Sequence, residues 1–189
     1  MLAMRIKIGE KSIKEATNIL RAIPRAMPRV FRRAINRNVD MAATDLKRRV
    51  GGRITLKKGE ISKSIKKYKA TYSHLAGYIA TSRYRPGLLA FPGTTEKRPR
   101  GVKYRISRLE GRKRIPHAFI ATMRASGHRG VFERRFRTRL PIDEKRGPSI
   151  WSVITGTPGL LKKVTNSAAN RMGKLINDQV AYEFKRWKR

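Results

Sequence analysis

Residues 27 to 52 read MPRVFRRAINRNVDMAATDLKRRVGG, and the spacing within this stretch decides the fold class. Met27, Val30, Phe31, Ala34, Ile35, Ala42, Leu46 and Val50 recur every three or four residues, which lays them along one face of a helix. Pro24 and Pro28 suit a first turn, where no amide hydrogen is needed, and Gly51-Gly52 predicts the stop. Arg25, Arg29, Arg33 and Arg37 follow at intervals of four on another face, with Arg32 beside them. At about 1.5 Å per residue this stripe runs about 18 Å. No Asp or Glu stands four residues from any of these arginines. The stripe therefore reads either as a ladder able to track phosphates or as a solvated helix face.

On the N-terminal side, Ser12 with Glu15 forms a capping-box pattern, and Ile13, Ala16, Ile19, Leu20 and Ile23 predict a short helix over 12–23. On the C-terminal side, Glu60 to Lys67 predicts a short helix with Ile61 and Ile65 on one side. The texture then changes. Tyr68 to Arg83 and Gly101 to Arg108 read as strands, the second alternating Val102, Tyr104 and Ile106 against Lys103, Arg105 and Ser107. Between them, Pro86 to Arg100 predicts a mobile basic loop. Ala118–Arg124 and Gly130–Arg135 predict a hairpin, Leu140–Ser149 an irregular segment, and Thr157-Pro158 the start of a long helix over 158–187. Its buried stripe is expected to be Leu161, Val164, Ala168, Met172, Leu175 and Ile176.

These elements predict an α+β fold, with a central antiparallel sheet, an N-terminal helical pair and a long C-terminal helix. The 189 residues suit a single domain, with a helical part at 1–67, a β part at 68–142 and the final helix at 158–187.

Charge dominates the composition: 47 Lys and Arg against 12 Asp and Glu give a formal net charge of +35. Residues 1–50 hold 13 basic and 4 acidic residues, 51–100 hold 12 and 2, 101–150 hold 14 and 4, and 151–189 hold 8 and 2. The excess thus belongs to the folded surface rather than to a basic arm. Self-repulsion opposes compaction unless anions or acidic neighbours screen it, so a polyanion or an acidic partner is implied. Backbone contact with nucleic acid fits Lys66-Lys67, Lys97-Arg98-x-Arg100 and Arg112-Lys113-Arg114, the dense spots besides the arginine stripe; nothing supports base-specific reading.

Catalysis finds little support. The three histidines stand alone at 74, 117 and 128, the acids are scattered, and the absence of cysteine excludes disulfides and thiolate sites. Ser64 and Lys67 match Ser-x-x-Lys, a pattern that recurs by chance in lysine-rich segments, and Gly156 to Gly159 is accounted for by a helix cap. No cofactor or metal is expected, and the chain does not read as an enzyme. The opening MLAMRIKIGEKS lacks the apolar run of a signal peptide, and no stretch approaches the ~20 apolar residues of a membrane helix, so a soluble protein, intracellular when made, is expected.

Several short pieces form an ordered series: Arg33-Ala-Ile-Asn-Arg37, His117-Ala118-Phe119, Gly130-Val131-Phe132 with Arg134, Arg139-Leu140-Pro141-Ile142 and Gly147-Pro148-Ser149. Over about two-thirds of the sequence this series resembles the minor tail protein Z family of tailed bacteriophages. One departure is Glu133-Arg134-Arg135-Phe136-Arg137, denser in charge than the family pattern. The resemblance implies a tail-completion or head-tail connector protein at the head-proximal end of the tail. It would be made in the host cytoplasm and built into the virion as a homo-oligomeric ring, for instance a hexamer. The partners so implied are the tail terminator, the tail tube, connector proteins and phage DNA, with no membrane. A ring of six would carry on the order of +200 before neutralisation. A non-catalytic RNA-binding structural protein, such as a ribosomal component, explains the charge equally well but not the ordered motifs. A DNA-processing enzyme needs a carboxylate or nucleophile cluster that the sequence lacks.

Overall fold

The structure, a computed structural model, describes residues 2–5, 26–97 and 99–187. The expected helix at 12–23, together with Arg25 and Arg98, lies outside the described residues. Within them the order is β1 (Leu2–Arg5), α1 (Met27–Arg53), α2 (Lys58–Lys63), β2 (Ile65–Tyr68), β3 (Tyr78–Thr81), β4 (Thr95–Glu96), β5 (Val102–Tyr104), β6 (Lys113–Ile115), β7 (Phe119–Thr122), β8 (Arg129–Arg134), β9 (Ile142–Glu144), α3 (Ile150–Thr155) and α4 (Leu160–Trp187). The fold is α+β, and its antiparallel strands form three small sheets, ordered β1-β3-β2, β4-β5-β6 and β7-β8-β9. Two compact units result, one from residues up to Leu46, Ile65–Thr81 and those from Ile154 onward, the other from Lys47–Ser64 and Ser82–Val153.

In the first unit α1 and α4 run antiparallel. Val30, Ala34, Ile35, Val39, Ala42, Ala43 and Leu46 of α1 are buried, as are Leu160, Val164, Ala168, Met172, Leu175, Ile176 and Val180 of α4. Asn38, fully buried among them, donates from Nδ2 to the Ala168 carbonyl at 2.9 Å and to Met172 Sδ at 3.6 Å. β3 packs close to α1 because Gly77, just before it, has no side chain: a Cβ there would sit 2.7 Å from Val39 Cγ2 and 2.9 Å from Ile35 Cγ2. The 69–77 connection is clasped by Asn36, whose side chain accepts from the Ala70 amide at 2.7 Å and donates to its carbonyl at 3.2 Å.

The second unit buries Val50, Ile54, Leu56, Ile61, Leu88, Phe91, Val102, Val131 and Ile150. The expected hairpin forms, pairing Phe119 with Phe132 and Thr122 with Arg129.

Several local expectations change. The 60–67 helix stops at Lys63, and Ile65 to Tyr68 pair with Thr81 to Tyr78, so sheet pairing overrides a helical spacing only eight residues long. The 68–83 strand shrinks to Tyr78–Thr81, and that over 101–108 to Val102–Tyr104. Within the 86–100 segment, expected to be mobile, residues 86–91 are packed, while 92, 93, 95, 97, 99 and 100 are exposed. Leu88 and Phe91 are buried, Leu88–Ala90 forms a 3₁₀ turn, and the Thr94 hydroxyl donates to the Leu88 and Phe91 carbonyls at 2.9 and 2.8 Å. Residues 140–149 contain β9, and Ser149 then caps α3 by accepting from the Ser152 amide at 3.1 Å. α1 runs through Gly51-Gly52 to Arg53. α4 begins at Leu160 after Gly159, beyond Pro158, so Leu160 rather than Leu161 enters the core.

Candidate nucleic-acid interface

The arginine stripe on α1 meets a partner that local spacing cannot reveal. Glu183 of α4, 4% exposed, accepts from Arg29 at 3.2 Å and from Arg33 at 2.8 Å. The two guanidinium groups are a little over one-third exposed and serve a buried carboxylate; Arg33 also lies over the Tyr182 ring at 5.4 Å. Arg32 stacks on Tyr72, 4.2 Å from the ring centroid, and donates to its hydroxyl at 3.2 Å. The expectation of a wholly exposed, unneutralised ladder is therefore corrected: Arg29 and Arg33 are half-buried and ion-paired. Arg37 is exposed, and among the described residues no carboxylate pairs with it.

The β1-β3-β2 sheet places Lys66 in the open and turns Lys67 toward α1. Lys67 meets Asp40 Oδ1 at 2.6 Å, and Lys69 meets Oδ2 at 3.0 Å. The hydrogen bond from Lys67 is the main reason the Asp40 carboxyl lies below its ordinary value of 3.8; partial burial opposes the shift, and Lys69 adds to it. Lys67 is thus occupied within the chain.

The other dense spots converge on one element. Lys97 and Arg100 sit in the turn that joins β4 to β5, and Lys113 and Arg114 open β6, just after Arg112, on the other side of β5. The Lys97 amide donates to the Gly101 carbonyl at 3.0 Å and closes the turn. Gly101 adopts φ 88°, and a Cβ there would collide with the Ile115 carbonyl, so β5 approaches β6 as only glycine permits. Register aligns Thr95, Lys103 and Arg114 in one row, on the face opposite Val102 and Ile115. Arg112, Lys113 and Arg114 are all exposed. Lys113 pairs with Glu110, which raises its affinity for the proton, whereas no carboxylate among the described residues pairs with Lys97, Arg100, Lys103, Arg112 or Arg114. Lys97 and Arg100 from one triplet and Arg112 to Arg114 from the other, distant in sequence, thus flank one strand, β5. Lys103 belongs with them, and its signal was the alternation of residues 102–107. Arg105 does not: it donates to the Ser107, Arg108 and Glu110 carbonyls and folds its own loop.

The acids of the second unit are engaged as well. Glu144 accepts from His128 at 2.8 Å and from Arg146; burial opposes its charge, but these two partners outweigh burial and lower its pKa. Asp143 is held down by Arg135, and Glu133 pairs with Lys145. Across the described residues every Asp and Glu except Asp178 has a partner within the chain. Among those residues no three His, Asp or Glu side chains gather as a metal site, and no helix is long and apolar enough to cross a membrane.

What emerges is an α+β protein in which, among the described residues, the acids other than Asp178 are used within the chain and much of the basic excess faces outward. The chain belongs to the prophage minor tail protein Z family, whose sequence profile matches residues 10–188, well beyond the pieces that carry the resemblance. Membership makes it a structural protein of phage tails, working among other tail proteins in the virion. No curated protein and no solved structure matches the chain.

Proposed function

We propose that the chain is a tail-completion protein that assembles as a ring at the head-proximal end of the tail. There it joins the tail terminator, tail tube and connector proteins, and meets the genome through its basic surface. The observation that carries this reading is the imbalance itself: a formal charge of +35 in which the described carboxylates are, apart from Asp178, already engaged. A ring concentrates that field around a channel, where phosphates supply the missing counter-charge. In the second unit the β4-β5-β6 sheet, with Lys97, Arg100, Lys103, Arg112 and Arg114, is the surface best suited to DNA; in the first unit Arg37 and Lys66 are separate exposed candidates. Arg29, Arg33 and Lys67 act mainly inside the protein.

Contact with DNA should be independent of sequence, because lysine and arginine on a sheet address the phosphate backbone. With 6–10 phosphates engaged, affinity for duplex DNA falls about 10³–10⁵-fold between 50 and 200 mM salt. Anisotropy titration with labelled duplex DNA measures this, and negative-stain imaging shows whether closed rings form. Co-purification with ribosomal RNA, without rings and without incorporation into tails, overturns the reading.

A further inference from the structure

The β8–β9 connection combines a dense cationic run, four arginines in the seven residues 134–140, with two large exposed apolar side chains. Residues 134–140, RRFRTRL, are all exposed, with Phe136 at 62% and Leu140 at 67%. Arg134, Arg135, Arg137 and Arg139 alternate with or flank these side chains. The neck of the loop is fastened. The Arg135 amide donates to the Pro141 carbonyl at 3.1 Å, its guanidinium spans both Asp143 oxygens at 2.8 and 3.2 Å, and the Thr138 hydroxyl donates to the Leu140 carbonyl at 2.7 Å. Arg134 lies back over the Phe119 ring at 5.6 Å. Among the described residues no carboxylate pairs with Arg137 or Arg139. The loop thus holds two apolar side chains outward on a closed base, with free guanidinium groups around them.

We propose that this loop is a docking pin that inserts Phe136 and Leu140 into an apolar pocket on a neighbouring tail protein, a pocket rimmed by Asp and Glu that receive Arg137 and Arg139. An apolar centre with an arginine rim is the arrangement that concentrates binding energy at protein interfaces. Duplex DNA fits less well, since a leucine gains nothing from phosphates and offers no ring to stack on a base. A second copy of this chain fits less well too, because its described carboxylates are engaged at home, Asp178 apart. The inference rests on membership of a tail-protein family and is independent of the DNA reading.

The test places a photo-crosslinking residue, Phe136→p-benzoylphenylalanine, in the full chain, assembles it into phage particles, irradiates them and identifies the attached species by mass spectrometry. The expected product is a peptide from a different tail protein whose neighbouring residues include Asp and Glu. Phe136→Ser with Leu140→Ser should lower incorporation of the chain into tails at least about tenfold. Arg137→Gln with Arg139→Gln should lower it more at low salt than at high salt, where the ion pairs are already screened. All these variants should keep the wild-type melting temperature, because the side chains are exposed. Attachment to DNA, attachment to a second copy, no attachment in particles that contain the chain, or normal incorporation of the double-serine variant overturns the proposal. Anisotropy of the same variants on duplex DNA reads the basic sheet separately, so the two readings fail independently.

Discussion

Replacing Arg29 and Arg33 together by glutamine tests the face of α1 by the sign of the effect. On an exposed, unneutralised stripe, removing two positive charges from a protein of +35 relieves repulsion and leaves stability unchanged or raised. In the observed geometry the two arginines hold Glu183, which is 4% exposed, at 3.2 and 2.8 Å, and their loss strands its carboxylate. Removing one partner of a fully buried pair costs about 3–5 kcal/mol. Here each guanidinium is more than one-third exposed, so each bond is better placed near the lower end of the range for charged hydrogen bonds, about 1.5 kcal/mol. The double variant should lose about 3 kcal/mol, which for a chain of this length lowers the melting temperature by roughly 6–12 °C. Adding Glu183→Gln should recover part of that loss, because the stranded charge is gone, and Arg37→Gln should shift melting by less than about 2 °C. Thermal denaturation at fixed salt and pH reads all four proteins. An unchanged or raised melting temperature in the Arg29/Arg33 variant, or no recovery on adding Glu183→Gln, refutes the assignment.

Phe91→Ala should destabilise the protein by about 3–5 kcal/mol, since the ring is 1% exposed; a negligible shift in chemical denaturation would mean that 86–100 is a surface loop after all. Arg112→Gln with Arg114→Gln should reduce the slope of log affinity for duplex DNA against log salt by about 2, one unit per lost phosphate contact, and an unchanged slope removes the β4-β5-β6 sheet from the interface. Asp40 has a depressed folded pKa, so its contribution to stability is present above the ordinary value of 3.8 and fades as pH falls through the lower folded value. Lys67→Met with Lys69→Met should therefore be less stable than wild type near neutrality, with the gap closing below about pH 4; a gap that stays constant into acid contradicts the pairing.

What could be read in advance follows the range of the underlying forces. The core face of α1 was legible because helical burial repeats within seven residues: Val30, Phe31, Ala34, Ile35, Leu46 and Val50 are all buried. The hairpin of Phe119 and Phe132 was legible because its two strand-like runs flank the short loop Ala125–His128. The basic surface was legible as a sum, and its triplets as clusters. Their convergence on one sheet was not, because the pairing of Lys103 with Arg114 is fixed by strand register rather than by neighbours in sequence. Ile61 and Ile65 share helical spacing, yet Ile65 belongs to a strand whose partner, Thr81, is remote. Glu183 escaped notice because a search within one turn of helix cannot see a carboxylate 150 residues away. Leu88 and Phe91 were hidden by the Pro, Gly and Thr around them, which mark turns without saying whether a turn is packed.

The amide of Asn38 gives the α1–α4 pair a further property. It is 0% exposed and reaches the Ala168 carbonyl at only one relative height of the two helices. Sliding α4 by a single turn, about 5.4 Å, would break the bond to the Ala168 carbonyl and cost about 1–3 kcal/mol wherever the buried donor then went unsatisfied. Greased surfaces alone would let the rods creep under axial load; with this peg in its slot the joint resists shear.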